Sequence, residues 1–150
     1  MDLWIRGSAL AMLRIVRQSV VLPASPKALY AMYLNPKAHG AITGGKVKIG
    51  VRPGAKFKAF GGALTGKMLC AIPGRLIVQA WRSTAFDKRD HDSTLILRFL
   101  PAGRSRGKTR GRIDLVHVNV PSHDYRGVDN GWKNYYWKPW RKYLAGLARR

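Results

Sequence analysis

Apolar and polar residues alternate with period two over most of the chain, and near its start and end they follow the spacing of about 3.6 that marks a helix. Ile15 to Leu22 is a β-branched run ending at Pro23, which predicts a first strand of uncertain facing. Ser25-Pro26 sets a capping side chain before a proline at the first helical position. A helix is therefore expected from Pro26 to Leu34, stopping at Asn35-Pro36, with a second helical turn over Lys37 to Ala41. Beyond Gly44-Gly45, Val47, Ile49 and Val51 face one way while Lys46, Lys48 and Arg52 face the other, as in a half-buried strand. Pro53-Gly54 marks a turn, after which Ala55, Phe57 and Ala59 continue the inward set. Gly61-Gly62 reverses the chain into a strand carrying Leu64, Gly66, Met68, Cys70 and Ile72 on one face, and Pro73-Gly74 turns it again before Leu76 to Arg82. A polar loop from Ser83 to Asp92 leads to Thr94–Leu100, with Leu95, Leu97 and Phe99 on one side. The last strand, from about Lys108 to Val120, places Ile113, Leu115 and His117 on one face.

The strongest pattern comes last. From Gly131 to Leu147, an arc of Trp132, Tyr135, Tyr136, Pro139, Trp140, Tyr143, Leu144 and Leu147 opposes Asn134, Lys138, Arg141 and Lys142. Such a face needs a broad apolar partner, because each large aromatic buries ~150–250 Å². Pro139 removes a backbone hydrogen bond and is expected to kink the helix or split it after Lys138. Consecutive hairpins give an α+β domain: a curved antiparallel sheet of about seven strands wrapped around the long C-terminal helix, with short helices after strand one. A bent sheet and a nearly straight helix leave space between them, either filled by side chains or open to a ligand.

Composition sharpens this outline. The 150 residues suit one domain with its own core, taken as 15–150 behind an N-terminal extension at 1–14, whose first eleven residues read as a disordered segment or a mis-assigned start. The apolar run in MDLWIRGSALAMLR is too short to span a bilayer and lacks the features of a secretion signal, so a cytoplasmic protein without a transmembrane segment is expected. Cys70 is the only cysteine, which excludes an intramolecular disulfide, and no Cys/His spacing resembles a zinc site. Lys and Arg number 28 against 7 acidic residues, all of them Asp, for a formal charge of +21. Such a surface attracts polyanions, although a generally basic host proteome would account for it equally.

Several motifs carry candidate chemistry. Gly61 to Met68 approaches a phosphate-binding loop, but Met68 stands where a magnesium-binding hydroxyl belongs and a strand follows instead of a helix, so it reads as a hairpin. Asp87, Asp90, His91 and Asp92 lie close in sequence without a calcium-loop spacing or a glycine, which favours a solvated loop. His117 faces the helix, where it is either a hydrogen-bonded core residue or an acid/base group; Asp114 lies on the opposite face, so no dyad is visible. Arg104, Arg106, Lys108, Arg110 and Arg112 recur at every second position. They form one cationic face if the strand extends back that far, or a flexible basic finger if Gly103 to Gly111 is a loop. Phosphates or acidic membranes are the corresponding partners, without any signature of specific readout. The aromatic side chains are mostly core; as a pocket wall they suit a flat or aliphatic molecule, with few polar contacts.

The segments LPASPKALYAMYLNPKAHGAITGGKVKI, PGAKFKAFGGALTGKMLCAIPGRLIVQAWR, LVHVNVP and YRGVDNGWKNYYWKPWRKYL together resemble the domain of homologues of the activator of heat shock protein 90 ATPase, within the START/SRPBCC, birch-pollen-allergen-like superfamily. Thr43-Gly44-Gly45, Gln79-Ala80-Trp81-Arg82 and Gly131-Trp132 with Tyr136-Trp137-Lys138-Pro139 are its most specific parts. The resemblance implies a helix-grip fold, often with a hydrophobic cavity under the long helix. It leads us to expect non-enzymatic binding of a small hydrophobic ligand. Phe57, Met68, Gln79, Trp81, Phe99, His117, Trp132, Tyr136 and Trp140 are the candidate pocket residues, with no cofactor, no metal and no catalytic residue assigned. The alternatives are a chaperone-associated or other protein-interaction domain in stress response and a cyclase or hydrolase of the superfamily. The expected state is a monomer or homodimer.

Overall fold

The computed structural model describes residues 12–150, in which six antiparallel strands form one sheet of order β1-β6-β5-β4-β3-β2. The strands are β1 (Leu13–Leu22), β2 (Lys56–Ala59), β3 (Leu64–Ile72), β4 (Leu76–Ser83), β5 (Ser93–Ser105) and β6 (Lys108–Pro121). Helices α1 (Pro26–Leu34) and α2 (Pro36–Thr43) follow β1. The Ser25 hydroxyl accepts from the Ala28 amide at 3.1 Å and caps α1, while the Asn35 carbonyl oxygen caps α2 by accepting from Lys37 and Ala38 at 2.9 and 3.0 Å. Gly44, at φ 82°, closes α2 in the left-handed region. Of the extension expected at 1–14, residues 1–11 lie outside the described residues, and Leu13 and Arg14 already belong to β1. Among the described residues, no helix is long and apolar enough to cross a membrane.

The expected strand over Val47–Val51 is reduced to one bridge, Lys48 to Lys58, so the sheet has six strands, not seven. The alternation there buries Val47 but reports burial, not pairing: β2 is only four residues long, and the turn at Pro53-Gly54 leaves room for one pair of hydrogen bonds. A bulge between Met68 and Cys70 changes parity within β3. Gly66 and Met68 pair with inward Trp81 and Gln79, but Cys70 and Ile72 pair with Val78 and Leu76 on the outer face. The five-residue face expected for β3 is thereby split. Gly66 is required opposite Trp81, since a Cβ would collide with the Ala80 carbonyl.

Across the inner face lies one helical run made of α3 (Tyr125–Gly131), a π-helical segment (Trp132–Trp137) and α4 (Lys138–Ala148). It begins six residues before the expected start, since Gly131 lies inside it. Pro139 neither splits nor sharply breaks it: Gly131, Trp137 and Lys138 all keep right-handed helical angles. Instead the helix widens just before the proline, with the Lys138 amide donating to the Lys133 carbonyl five residues back. Widening relieves the clash that a proline ring makes with the carbonyl four residues earlier. It also shifts the helical phase, so Trp137 is buried at 7% exposure while Tyr135, expected inward, is 62% exposed.

Gln18 on β1 fastens this segment to the sheet. Its amide nitrogen donates to the Asp129 backbone carbonyl (2.7 Å) and carboxylate (2.8 Å), and its carbonyl oxygen accepts from the Trp137 indole at 2.6 Å. Gln18→Leu leaves that indole N–H without its acceptor, which costs about 1–3 kcal/mol. Urea denaturation is expected to show a lower midpoint, and an unchanged midpoint contradicts the tether.

Candidate functional site

The centre of the inner face holds a chain of hydrogen-bonded polar groups, beside which Gln79 Nε2 and the Trp81 and Trp140 indole N–H groups are buried without partners. An indole N–H can only donate, so Trp132 donates to His117 Nδ1 at 3.1 Å, which puts the His117 proton on Nε2. Nε2 then donates to the Ser93 hydroxyl oxygen at 2.7 Å, and that hydroxyl donates to the Trp81 carbonyl at 2.7 Å. Both ring nitrogens are thus engaged, and burial pushes the His117 pKa down to about 3. On α2, His39 Nδ1 donates to the Tyr33 carbonyl at 2.7 Å, and Nε2 accepts from the Tyr136 hydroxyl at 3.0 Å. Burial lowers the His39 pKa to about 4 and raises the Tyr136 and Tyr33 hydroxyls. Tyr33 in turn donates to Gln79 Oε1 at 2.6 Å.

Away from this packed centre, a cavity of about 440 Å³ opens at the N-terminal end of the helical run. Its walls are Phe60, Ala63 and Leu64 from the β2–β3 hairpin, Trp81 and Ser83 from β4, and Asp124, Gly127, Val128, Gly131, Trp132, Tyr135 and Tyr136 from the helix and the turn before it. Gly127 and Gly131, four residues apart, deny the helix side chains that would otherwise fill the gap. Phe60 forms the lip with a left-handed backbone, φ 52°, and its ring lies 5.9 Å from those of both Tyr135 and Tyr136. Such a conformation in a bulky residue costs about 1–3 kcal/mol and persists where its surroundings hold it.

Of the nine candidate pocket residues, Trp81, Trp132 and Tyr136 line this cavity. Phe57, Met68, Gln79, Phe99, His117 and Trp140 are buried without lining it. The cavity residues that the sequence reading did not assign to the pocket are chiefly Phe60, Ser83, Asp124, Gly127 and Gly131. The spacing of the two glycines is visible in the sequence, but a helix beginning at Gly131 does not include Gly127, whereas the observed start at Tyr125 does. A start signal was present in Ser122 and Asp124 after Pro121.

The other candidate groups form separate features. Asp87 and Asp90 meet His123, not His91, with the His123 ring 3.0 Å from Asp90 and 3.6 Å from Asp87. Arg82 organises the same loop by donating to the carbonyls of Asp90 and Asp87 at 2.7 and 2.6 Å. The basic run is a regular hairpin whose tip, Arg106-Gly107, has φ 51° and 75°, the signature of a tight two-residue turn. A register shift between Pro101 and Arg104 pairs Arg104 with Thr109, so Arg104 shares a face with Thr109 while Lys108, Arg110 and Arg112 take the other. The five cations therefore do not share one face. Arg112 is also ion-paired with Asp114 at 3.0 Å.

The buried histidines have a measurable consequence. The unfolded chain protonates them near 6.5, whereas the folded protein keeps them neutral to about 4 and 3. Below that unfolded value the unfolded state binds more protons, so stability falls as pH drops from about 6.5 toward 4, by up to roughly 1.4 kcal/mol per pH unit for each histidine. His123, raised chiefly by its hydrogen bond to Asp90, acts in the opposite sense, but its exposure keeps that effect small. Thermal melts between pH 7.5 and 4.5 are expected to show a steady loss of Tm below about 6.5, and a flat profile contradicts the assignment.

Comparison with known proteins bears on the whole fold. An uncharacterized protein of Schizosaccharomyces pombe is 29% identical over 137 residues, covering 82% of this chain and 38% of that protein. The chain thus spans about two fifths of its curated relative. Among solved structures, an HSP90 activator from Plasmodium falciparum superposes with a TM-score of 0.75 at 18% identity, over 87% of this chain and 96% of the other. The Aha1 dimer from Colwellia psychrerythraea gives 0.60 at 14% identity, over 89% and 98%. At these identities the structures establish the fold, a helix-grip sheet and helix. Residues 23–145 match the family described as Activator of Hsp90 ATPase homolog 1-like protein, and it is to this family that the chain belongs.

Proposed function

We propose that the domain binds a small hydrophobic molecule without transforming it, in the cavity at the N-terminal end of the helical run. The observation that carries this reading is the cavity wall itself. The polar ends of Trp132 and Tyr136 are tied inward to His117 and His39, so the rings present carbon surface to the cavity. A volume of about 440 Å³ falls within the range of small-molecule sites. The acid/base alternative loses its residue, because His117 has no free ring nitrogen and is not part of the cavity wall.

A second reading, docking to a chaperone or another protein, rests on the HSP90 activator among the similar structures and on the strongly basic surface, which suits an acidic partner. The hairpin cations offer non-specific polyanion contact by the same physics. Both are compatible with an occupied cavity.

Native mass spectrometry of the purified protein, followed by denaturation and extraction, tests the cavity reading. A stoichiometric apolar companion is expected. Gly131→Leu supplies a matched control: a Cβ there meets only the Tyr135 ring at 3.7 Å, and leucine favours a helix over glycine by up to about 1 kcal/mol. This variant is expected to fold at least as stably and to lose the companion. A bare wild-type protein that shows no thermal shift with lipids or aromatics contradicts the proposal.

A further inference from the structure

The charge inside the cavity runs against the charge of the chain. Lys and Arg outnumber the acidic residues 28 to 7, yet no lysine or arginine lines the cavity and the one charged residue that does is Asp124. Asp124 sits at the start of α3 but its side chain does not cap the helix. One carboxylate oxygen instead lies over Gly127, where a Cβ would approach it to 2.5 Å, so that glycine leaves the carboxylate room. Burial raises the Asp124 pKa, outweighing the opposing pull of the nearby His123. His123 gives its hydrogen bond and close ion pairs to Asp90 and Asp87 and reaches Asp124 only through its charge.

The remaining polar groups of the wall are largely spoken for. Trp132 and Tyr136 donate inward to histidines, the Trp81 indole N–H is buried without a partner and out of reach of solvent, and the Ser83 oxygen accepts from the Ala85 amide at 3.1 Å. What the cavity offers a ligand is chiefly aromatic faces, the neutral hydroxyls of Ser83 and Tyr135, and one carboxylate, its only charged group. Aromatic faces carry negative quadrupole potential and attract cations, as does the carboxylate.

Resting on the cavity reading above, we infer that the ligand is an apolar organic cation, an amine or quaternary ammonium on a hydrocarbon or aromatic body, with its charged head beside Asp124 and its body against Trp81, Trp132 and Phe60. An acid of the same shape is disfavoured by the Asp124 carboxylate despite the attraction of the basic surface outside. This would make the cavity selective against the anions that the rest of the protein attracts.

Three probes of matched shape test the inference by calorimetry at near-physiological salt: (3-phenylpropyl)trimethylammonium, its uncharged tert-butyl isostere, and 4-phenylbutyrate. The cation is expected to bind at least tenfold more tightly than the neutral probe, and the anion most weakly. Asp124→Asn is expected to remove most of the preference for the cation, and Gly131→Leu to abolish binding of all three. Binding of the neutral or anionic probe as tight as the cation, or a preference that survives Asp124→Asn, overturns the inference while the cavity reading stands. Absence of binding by all three to a wild-type protein that also purifies bare overturns both.

Discussion

Burial of one aromatic helix face against a six-stranded sheet is the constraint on which the rest of this structure depends. Trp132, Tyr136, Trp137, Trp140 and Leu144 are all buried in a single helical run, and each large ring removes ~150–250 Å² from water. Pro139 lies inside that run, and the π-helical turn before it decides which rings point inward. Trp137 enters the core, meets Gln18 and stacks near Trp132 and Trp140 with ring centroids 5.5 and 6.2 Å apart. Tyr135 is released to the mouth of the cavity.

The same phase change places the cavity. Where Trp140 meets Tyr33 and α2, rings fill the space between helix and sheet, and the buried polar groups of His39, Tyr136, Tyr33 and Gln79 are linked through hydrogen bonds. Where the helix carries Gly127 and Gly131, those two positions put no side chain into the gap, and the Phe60 lip closes one side. A buried polar network of this kind rigidifies the wall from behind, since each donor it ties up fixes a ring orientation. The space expected from a bent sheet and a straight helix is thus mostly filled, with the remainder concentrated at one end.

The legible parts of the sequence were those governed by local chemistry. Ser25-Pro26 and Asn35-Pro36 set the helices, and alternation in Leu95, Leu97 and Phe99 and in Ile113, Leu115 and His117 matches their burial. Alternation misled where pairing was decided elsewhere: at Val47–Val51 the partner strand was too short, and in β3 a bulge moved Cys70 and Ile72 to the outer face. The helical arc at 100° per residue failed at Tyr135 and Trp137 because the proline altered the twist before it, not after it. Trp81, Trp132 and Tyr136 were legible as aromatics on inward faces, but which inward residues would be packed and which would border space depended on the glycines opposite them. The sequence marks Asp124 only as part of a helix start after Pro121, and its place in the cavity wall follows from where that helix begins.

The most direct test of this account is to follow the indole resonances of the tryptophans in a ¹⁵N-labelled sample during titration with a small aromatic probe. Binding at the glycine-bearing end of the helix shifts Trp132 and Trp81, which border the cavity, and leaves Trp140, which does not border it, essentially unmoved. Shifts confined to Trp140 and Trp137, or an absence of any shift at saturating probe, would contradict it.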